Sequence, residues 1–308
     1  MPSVKQVSAE PLRLGVYQGI HSALIYVADM QGFFRKQGVD VAMNEYETGP
    51  LAVNNLVADK VDVATAAEFA FVLQSFRYPD LRMPATICRA ADFELVVRKD
   101  RGIARPQDLA RKRIALLRGG QAEFFLYNYL IFNRIPAESV QIVDRRPSQM
   151  IGAIADGKVD AAITSPPYTT EMVRQLGARA ARWPAQSGQD YYQVLFAKES
   201  FLKKQPRTIE LFLAALSDAE GFISKYPERA QAILHQRLKL DSESFLPTWP
   251  LYQFQLQLTQ DSLVLMEREA KWATRNKLVE KKEMPNYLDF FYFNGLDKVK
   301  PEAVSVVH

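Results

Sequence analysis

The sequence predicts an α/β protein of two lobes, each a mostly parallel sheet flanked by helices, with a helical C-terminal tail. Three observations carry this. Short apolar strands alternate with amphipathic helical segments, the pattern of βαβ units. A strand–turn–helix opening and a turn reading Lys-Val-Asp both recur about a hundred residues further on, so two lobes of like build fit better than a solenoid. Two extended segments stand where the chain crosses from one lobe to the other and back.

The first strand is Leu12 to Tyr17, followed by the polar turn Gln18-Gly19-Ile20-His21-Ser22. A helix is expected from about Ser22 to Lys36, because Ala23, Tyr26, Val27, Met30, Phe33 and Phe34 share one helical face. Gly38 supplies its stop. Val39 to Glu45 reads as a strand, Thr48-Gly49-Pro50 as a loop, Leu51 to Asp59 as a helix and Val61 to Thr65 as a short buried strand. The second lobe repeats the order: strand Arg113 to Leu117, turn, helix Ala122 to Asn133, strand Val140 to Val143, helix Pro147 to Asp156, strand Val159 to Thr164. Ala58-Asp59-Lys60-Val61-Asp62 and Ala155-Asp156-Gly157-Lys158-Val159-Asp160 are the repeated turns, and Gln18 and Gln121 occupy corresponding openings. The crossovers fall near Ala90 to Val97 and Tyr191 to Ala197. Lobe one is therefore discontinuous, 11–92 and 195–308, lobe two is 93–194, and 1–10 is a flexible leader. Paired crossovers of this kind make a hinge. Beyond Lys198 the chain is helical, with Ile209, Phe212, Leu213, Leu216, Ala219 and Ile223 on one face, and this tail is expected to pack mainly on lobe one.

Composition narrows the function classes. Of 308 residues 48% are hydrophobic, enough for a large core without staples. One cysteine excludes an internal disulfide, a cysteine-based zinc site and an iron–sulfur cluster. The net charge of +4 is a small excess over scattered, balanced charges, so no nucleic-acid partner is expected. No run of about 18 apolar residues spans a bilayer, and the N-terminus has no apolar signal core.

Four stretches in this order resemble the substrate-binding proteins of bacterial ABC importers, in the branch that takes sulfonates, taurine, nitrate and thiamine-pyrimidine precursors. They are LRLGVYQGIHSALIYVADMQGFFRKQGVDV, LVADKVDVATAAEFAFVL, ELVVRKDRGIARPQDLARKRIALLRGG and AIADGKVDAAITSPPYT. The resemblance covers about Leu12 to Lys225. It implies the type II periplasmic-binding-protein fold, a clamp that closes on a small-molecule ligand, a transient partner in an inner-membrane ABC permease, and a monomer without cofactor. It also implies a periplasmic or extracytoplasmic location, with the signal segment absent from this sequence.

Ligands of open α/β sheets sit beyond the carboxyl ends of the strands, and four loops are candidates there. In the first, Gln18, His21 and Ser22 open a helix whose N–H groups favour an anion, although His21 equally fits a solvent-facing loop. In the second, Glu68 fits a ligand N–H or a helix N-terminus, and Phe69 fits a stacking face or the core. In the third, Gly120, Gln121 and Glu123 sit in a glycine pair before a helix, which is neither a Walker A loop nor a dinucleotide fingerprint. The fourth carries Thr164, Ser165 and Tyr168 around a double proline. At the crossovers, Arg89 fits a bidentate contact to a carboxylate or sulfonate or a pair with Asp92, and Tyr191 lies nearby. With Glu68, Asp92 and Glu123 around the cleft, the expected ligand is a small polar organic molecule bearing its own N–H groups, rather than a bare oxyanion.

Two rival classes remain. The pyrimidine-precursor synthases that share this fold depend on a cysteine-rich iron motif, whereas this chain has only Cys88, in an apolar strand. His21, His235 and His308 are dispersed, so neither enzyme activity nor a metal is expected. The alternative function is a ligand-sensing domain of, or for, a membrane-bound signalling receptor.

Overall fold

A computed structural model describes residues 10–241, 245–280 and 283–307. The leader expected at 1–10 lies outside them except for Glu10, as does His308. The first lobe opens with β1 (Leu12–Tyr17), α1 (Ala23–Met30), α2 (Phe33–Gln37), β2 (Val41–Tyr46), α3 (Gly49–Val57), β3 (Val63–Ala67), α4 (Glu68–Ser75), β4 (Leu81–Arg82) and β5 (Thr86–Ala90). The second holds β6 (Glu94–Arg98), β7 (Arg113–Leu116), α5 (Gln121–Phe132), β8 (Gln141–Asp144), α6 (Pro147–Ala155), β9 (Ala161–Thr164), α7 (Tyr168–Leu176) and β10 (Ala180–Pro184). The chain returns through β11 (Tyr191–Lys198) to α8 (Glu199–Lys204), α9 (Pro206–Lys225), α10 (Pro227–Leu238), β12 (Tyr252–Gln253), α11 (Gln260–Arg275) and α12 (Phe293–Val299).

The single helix expected over 22–36 is two. Gly32 sits at φ +70°, a left-handed conformation that side chains resist, and the turn there separates α1 from α2. The apolar face continues across the break: Phe34 stacks on Phe212 of α9 at 5.5 Å between ring centroids.

The first sheet has the order β12-β5-β11-β3-β1-β2, with β4 against β11, and the second β10-β6-β9-β7-β8. Among the named strands, parallel pairing is confined to β2-β1-β3 and β8-β7-β9. The strands that enter and leave the lobes, β5, β6, β10 and β11, run antiparallel to their neighbours. A crossover strand enters the far side of a sheet without a returning helix, so it pairs in the opposite sense. All of β11 from Tyr191 belongs to the first sheet.

The strand–helix units repeat down to single bonds. Arg13 N–H donates to Asp62 Oδ2 at 2.9 Å and Arg113 N–H to Asp160 Oδ2 at 2.9 Å. The two guanidinium groups also reach the Asp59 and Gly157 carbonyls at 2.9 and 2.7 Å. The Lys-Val-Asp turn is thus one half of an Arg–Asp clip that ties the start of β1 to β3 and of β7 to β9. Of the C-terminal helices, α9 packs on α1 and α2, and α11 on α4. Trp272 of α11 also reaches Phe124 of α5 in the second lobe, at 5.4 Å.

Candidate functional site

The carboxyl ends of both parallel units face each other across a cleft of about 590 Å³, the solvent at its open mouth included. Both sides bring helix N-termini to it: Gly49 and Pro50 open α3, Gln121 and Ala122 open α5, and Pro147 opens α6. The first turn of a helix leaves N–H groups without intrahelical partners, and its dipole favours negative charge; Pro50 and Pro147 carry no N–H and the Ser148 N–H is taken by Glu47, so α6 brings its dipole to the cleft rather than these two donors. Much of the wall is apolar, from Phe93, Leu117, Met150 and Ile163 on one side and Ala67 and Ala70 on the other. Thr48, Thr164 and Ser165 add hydroxyls, and Tyr17 from the end of β1 faces Ser165 across the gap. No lysine or arginine lines the cleft among the described residues.

Five of the residues singled out in the sequence meet here: Gly120, Gln121, Thr164, Ser165 and Tyr191. The others lie off the lining. Gln18 is exposed. Ser22 is buried and donates its hydroxyl to the Tyr17 carbonyl at 2.7 Å. His21, rather than facing solvent, is 2% exposed within a buried cluster at the crossovers. Its Nε2 lies 2.9 Å from Asp92 Oδ2 and 2.5 Å from the Tyr191 hydroxyl. Asp92 further accepts from the Tyr191 and Tyr252 hydroxyls, each at 2.9 Å. Burial, with the Asp92 charge beside them, pushes both phenols well above their ordinary pKa, so they stay donors. The cluster joins the first helical turn, the outgoing crossover, the returning strand and the C-terminal segment at one carboxylate. Arg89 pairs not with Asp92 but with Asp190, 2.5 Å from its Nε, tying the two crossovers together.

The acidic lining expected from Glu68, Asp92 and Glu123 is absent. A carboxylate in a low-dielectric interior must be paired, hydrogen-bonded or neutral, and each of these three is turned into the protein. Glu123 folds back on its own loop, accepting from Gly119 N–H at 2.8 Å and pairing with Arg118 at 3.0 Å. Glu68 accepts from Tyr192 N–H at 2.8 Å and is fully buried. Phe69 is core: it packs on Phe124 and Trp272 at 5.8 and 5.6 Å. Tyr168 is half-buried against the second core and is not part of the lining. The acid that does line the cleft is Glu47, which no sequence argument singled out. It accepts from Ser148 N–H at 3.1 Å and from Arg146 at 3.3 Å, and so clasps the start of α6 from the opposite lobe.

Gln121 makes a second clasp. Its Oε1 accepts from Phe69 N–H at 3.2 Å and its Nε2 donates to Glu269 Oε1 at 2.8 Å, binding α5 to both α4 and α11. Glu269 and Glu68 are buried together, and each has one oxygen without a partner among the described residues. Burial raises both carboxyls, Glu269 to about 8 and Glu68 well above its usual range, where the neighbouring Glu269 charge adds to the effect.

The lining residues missed in the sequence fall into two kinds. The Thr48-Gly49-Pro50 loop ends a parallel strand, so the rule that ligands sit at strand carboxyl ends singles it out alongside Arg146-Pro147, its counterpart in the second lobe. Gln193 carried no signal; it is one polar residue in an apolar strand.

Comparisons with known proteins agree with this architecture. The family model described as NMT1/THI5 like matches residues 20–230. A Bacillus subtilis protein named as an aliphatic sulfonates-binding protein is 24% identical over 284 residues, 88% of this chain and 83% of that one. The alkanesulfonate-binding protein of Xanthomonas axonopodis pv. citri, solved bound to MOPS, matches with a TM-score of 0.80 at 16% identity, over 93% of this chain and 99% of its own. A desulfurization enzyme shares the architecture at a TM-score of 0.65 and 15% identity, over 94% and 99% of the two chains. The fold is that of the periplasmic binding proteins.

Proposed function

The chain belongs to the NMT1/THI5-like family, and from that premise we propose that it is an extracytoplasmic solute-binding protein. It captures a small organic anion, of the alkanesulfonate kind, as a single chain and hands it to an ABC permease. The observation that carries this reading is the pairing of helix N-termini from both lobes with a largely apolar wall that no basic side chain interrupts. Backbone N–H groups and hydroxyls suit an anionic head, which needs no counter-charge where helix termini converge. Phe93, Leu117, Met150 and Ile163 suit its hydrocarbon body. The ligands for which the sulfonate-binding relatives are named are of this class.

Binding without chemistry fits the same lining, which holds no histidine or cysteine among the described residues. Cys88 is buried, and burial pushes its thiol well up, away from the reactive thiolate. His21 is held in the hinge cluster. The mechanism is a shift of population. The segments between β5 and β6 and between β10 and β11 form the hinge. A solute touching both walls favours the closed arrangement, in which Glu47 and Gln121 clasp across the cleft.

Thermal-shift and calorimetric titration with linear alkanesulfonates, MOPS, taurine, nitrate and a pyrimidine tests the proposal. An organic anion at a hundredfold excess over its Kd is expected to add about 2.7 kcal/mol of stability. Nitrate leaves the apolar wall unfilled and should shift the melting temperature less. No shift with any of these solutes would sink the reading.

A further inference from the structure

Three buried glutamines stand around the cleft and hinge: Gln121, Gln186 and Gln193. Two are fully engaged. Gln121 spends both ends on the interlobe clasp. Gln186 accepts from Phe93 N–H at 2.7 Å and donates to the Ala90 and Gln189 carbonyls at 3.2 and 2.7 Å. Gln193 differs. It is 2% exposed, it lines the cleft, and its Nε2 has no partner among the described residues.

Gln193 lies in β11 between two strands, with Ala67 of β3 on one side and Cys88 of β5 on the other, and the register against β5 shifts immediately after it. It shares a strand face with Tyr191, two residues away, and both line the cleft. The Tyr191 hydroxyl is already held by Asp92 and His21, so it has little to offer a solute. A carboxamide is neutral and carries two N–H donors. A buried donor left unpaired is costly, and one paired by a ligand discriminates strongly against ligands that lack the acceptor.

We infer that Gln193 is the specificity-determining residue of this cleft, reading a hydrogen-bond acceptor oxygen on the bound solute. This deepens the solute-binding reading and rests on it. The residue selects acceptor-rich heads, sulfonate or carboxylate, over ammonium or hydrocarbon ends. It does so as a neutral donor, in a cleft whose lining has no cationic side chain among the described residues.

The test is calorimetric titration of butanesulfonate and of MOPS into the wild-type chain and into Gln193→Leu, Gln193→Met and Gln193→Glu, with the melting temperature of each unliganded protein. Removing an unpartnered buried amide should leave the unliganded melting temperature unchanged or raise it. The same change should weaken sulfonate binding by about ten- to a hundredfold. Gln193→Glu should weaken it at least as much, because a carboxylate meets the anion. Gln193→Met keeps the side-chain length and carries the test if Gln193→Leu does not fold. Leucine or methionine variants that bind within twofold of wild type overturn the assignment while the solute-binding reading stands. A wild-type chain that binds neither probe overturns that reading first, and the assignment with it.

Discussion

The two lobes are built on one unit and differ where it matters for a solute. At the amino ends of the parallel strands the likeness is close, with an Arg–Asp clip in each lobe, Arg13–Asp62 and Arg113–Asp160. At the carboxyl ends the corresponding turns part company. In the first lobe, Gln18 to Ser22 sends His21 into the hinge cluster and leaves Gln18 in solvent. In the second, Gly119 to Glu123 brings Gln121 to the cleft and across to Glu269. A clip far from the ligand is under one constraint, to hold the frame. The loops beyond the strands make separate contacts, one in the Asp92 cluster and one in the Gln121 clasp.

The sharpest way to break this comparison is at the hinge. Asp92→Ala leaves His21, Tyr191 and Tyr252 buried without their common acceptor, and should cost about 3–5 kcal/mol in chemical denaturation. A loss below about 1 kcal/mol would mean that the cluster does not anchor the hinge.

Next come the paired glycines that open α3 and α5. A Cβ on Gly49 would stand 2.6 Å from Ala66 Cβ and 3.0 Å from its Cα, where strand backbone cannot move aside. Gly49→Ala should therefore cost about 1–3 kcal/mol and weaken solute binding. At Gly120 the nearest atom is Leu117 Cδ2 at 3.2 Å, the far end of a flexible side chain. Gly120→Ala should cost under about 1 kcal/mol. Equal costs in paired melts would show that the two helix starts are equally tight.

A smaller effect sharpens the clip. Asp160 is the more enclosed partner, its side chain 10% exposed against 17% for Asp62. Asp160→Ala should cost about 2 kcal/mol and Asp62→Ala about 1 kcal/mol. The reverse order in denaturant titrations would contradict the burial argument.

The clasp makes a pH prediction. Glu269 and Glu68 have folded pKa values raised above those of the unfolded chain. Between the unfolded value and the raised one, the native state holds more protons than the unfolded state, so this contribution is present at low pH and lost as pH rises. Stability should fall from about pH 5 to pH 8 by about 1 kcal/mol per unit. Glu269→Gln should flatten that slope in melts across the range, and an unchanged slope would place the proton elsewhere.

Much of the frame is legible in the residues. Apolar spacing locates the strands and most helices to within a few residues, because burial of one face is a local, periodic demand. The Lys-Val-Asp repeat is visible along the chain, while the arginine that each aspartate holds is given only by the fold. Gly32 shows the limit: the apolar face runs on through the turn, so periodicity alone reads one helix where there are two. For the site, Gly120, Gln121, Thr164, Ser165 and Tyr191 were within reach of the strand-end rule and the crossovers. Glu68, Asp92 and Glu123 lie off the lining, and Glu68 stands in the first turn of α4, the other of its two expected places; a loop carboxylate gives no hint in sequence of whether it faces solvent or a buried donor.

The sequence by itself determined the two-lobed α/β frame, its repeat, and the family resemblance that rests on the order of its motifs. Hydrophobic period and turn chemistry are properties of neighbouring residues, so they can be read along the chain. Only the tertiary structure decided that Asp92 gathers His21, Tyr191 and Tyr252, that Glu47 clasps the far lobe, and that Gln193 lines the cleft with an amide nitrogen unpaired among the described residues. Those facts depend on which distant groups meet in a low-dielectric interior, and there a polar side chain's role is set by its partners rather than by its neighbours in sequence.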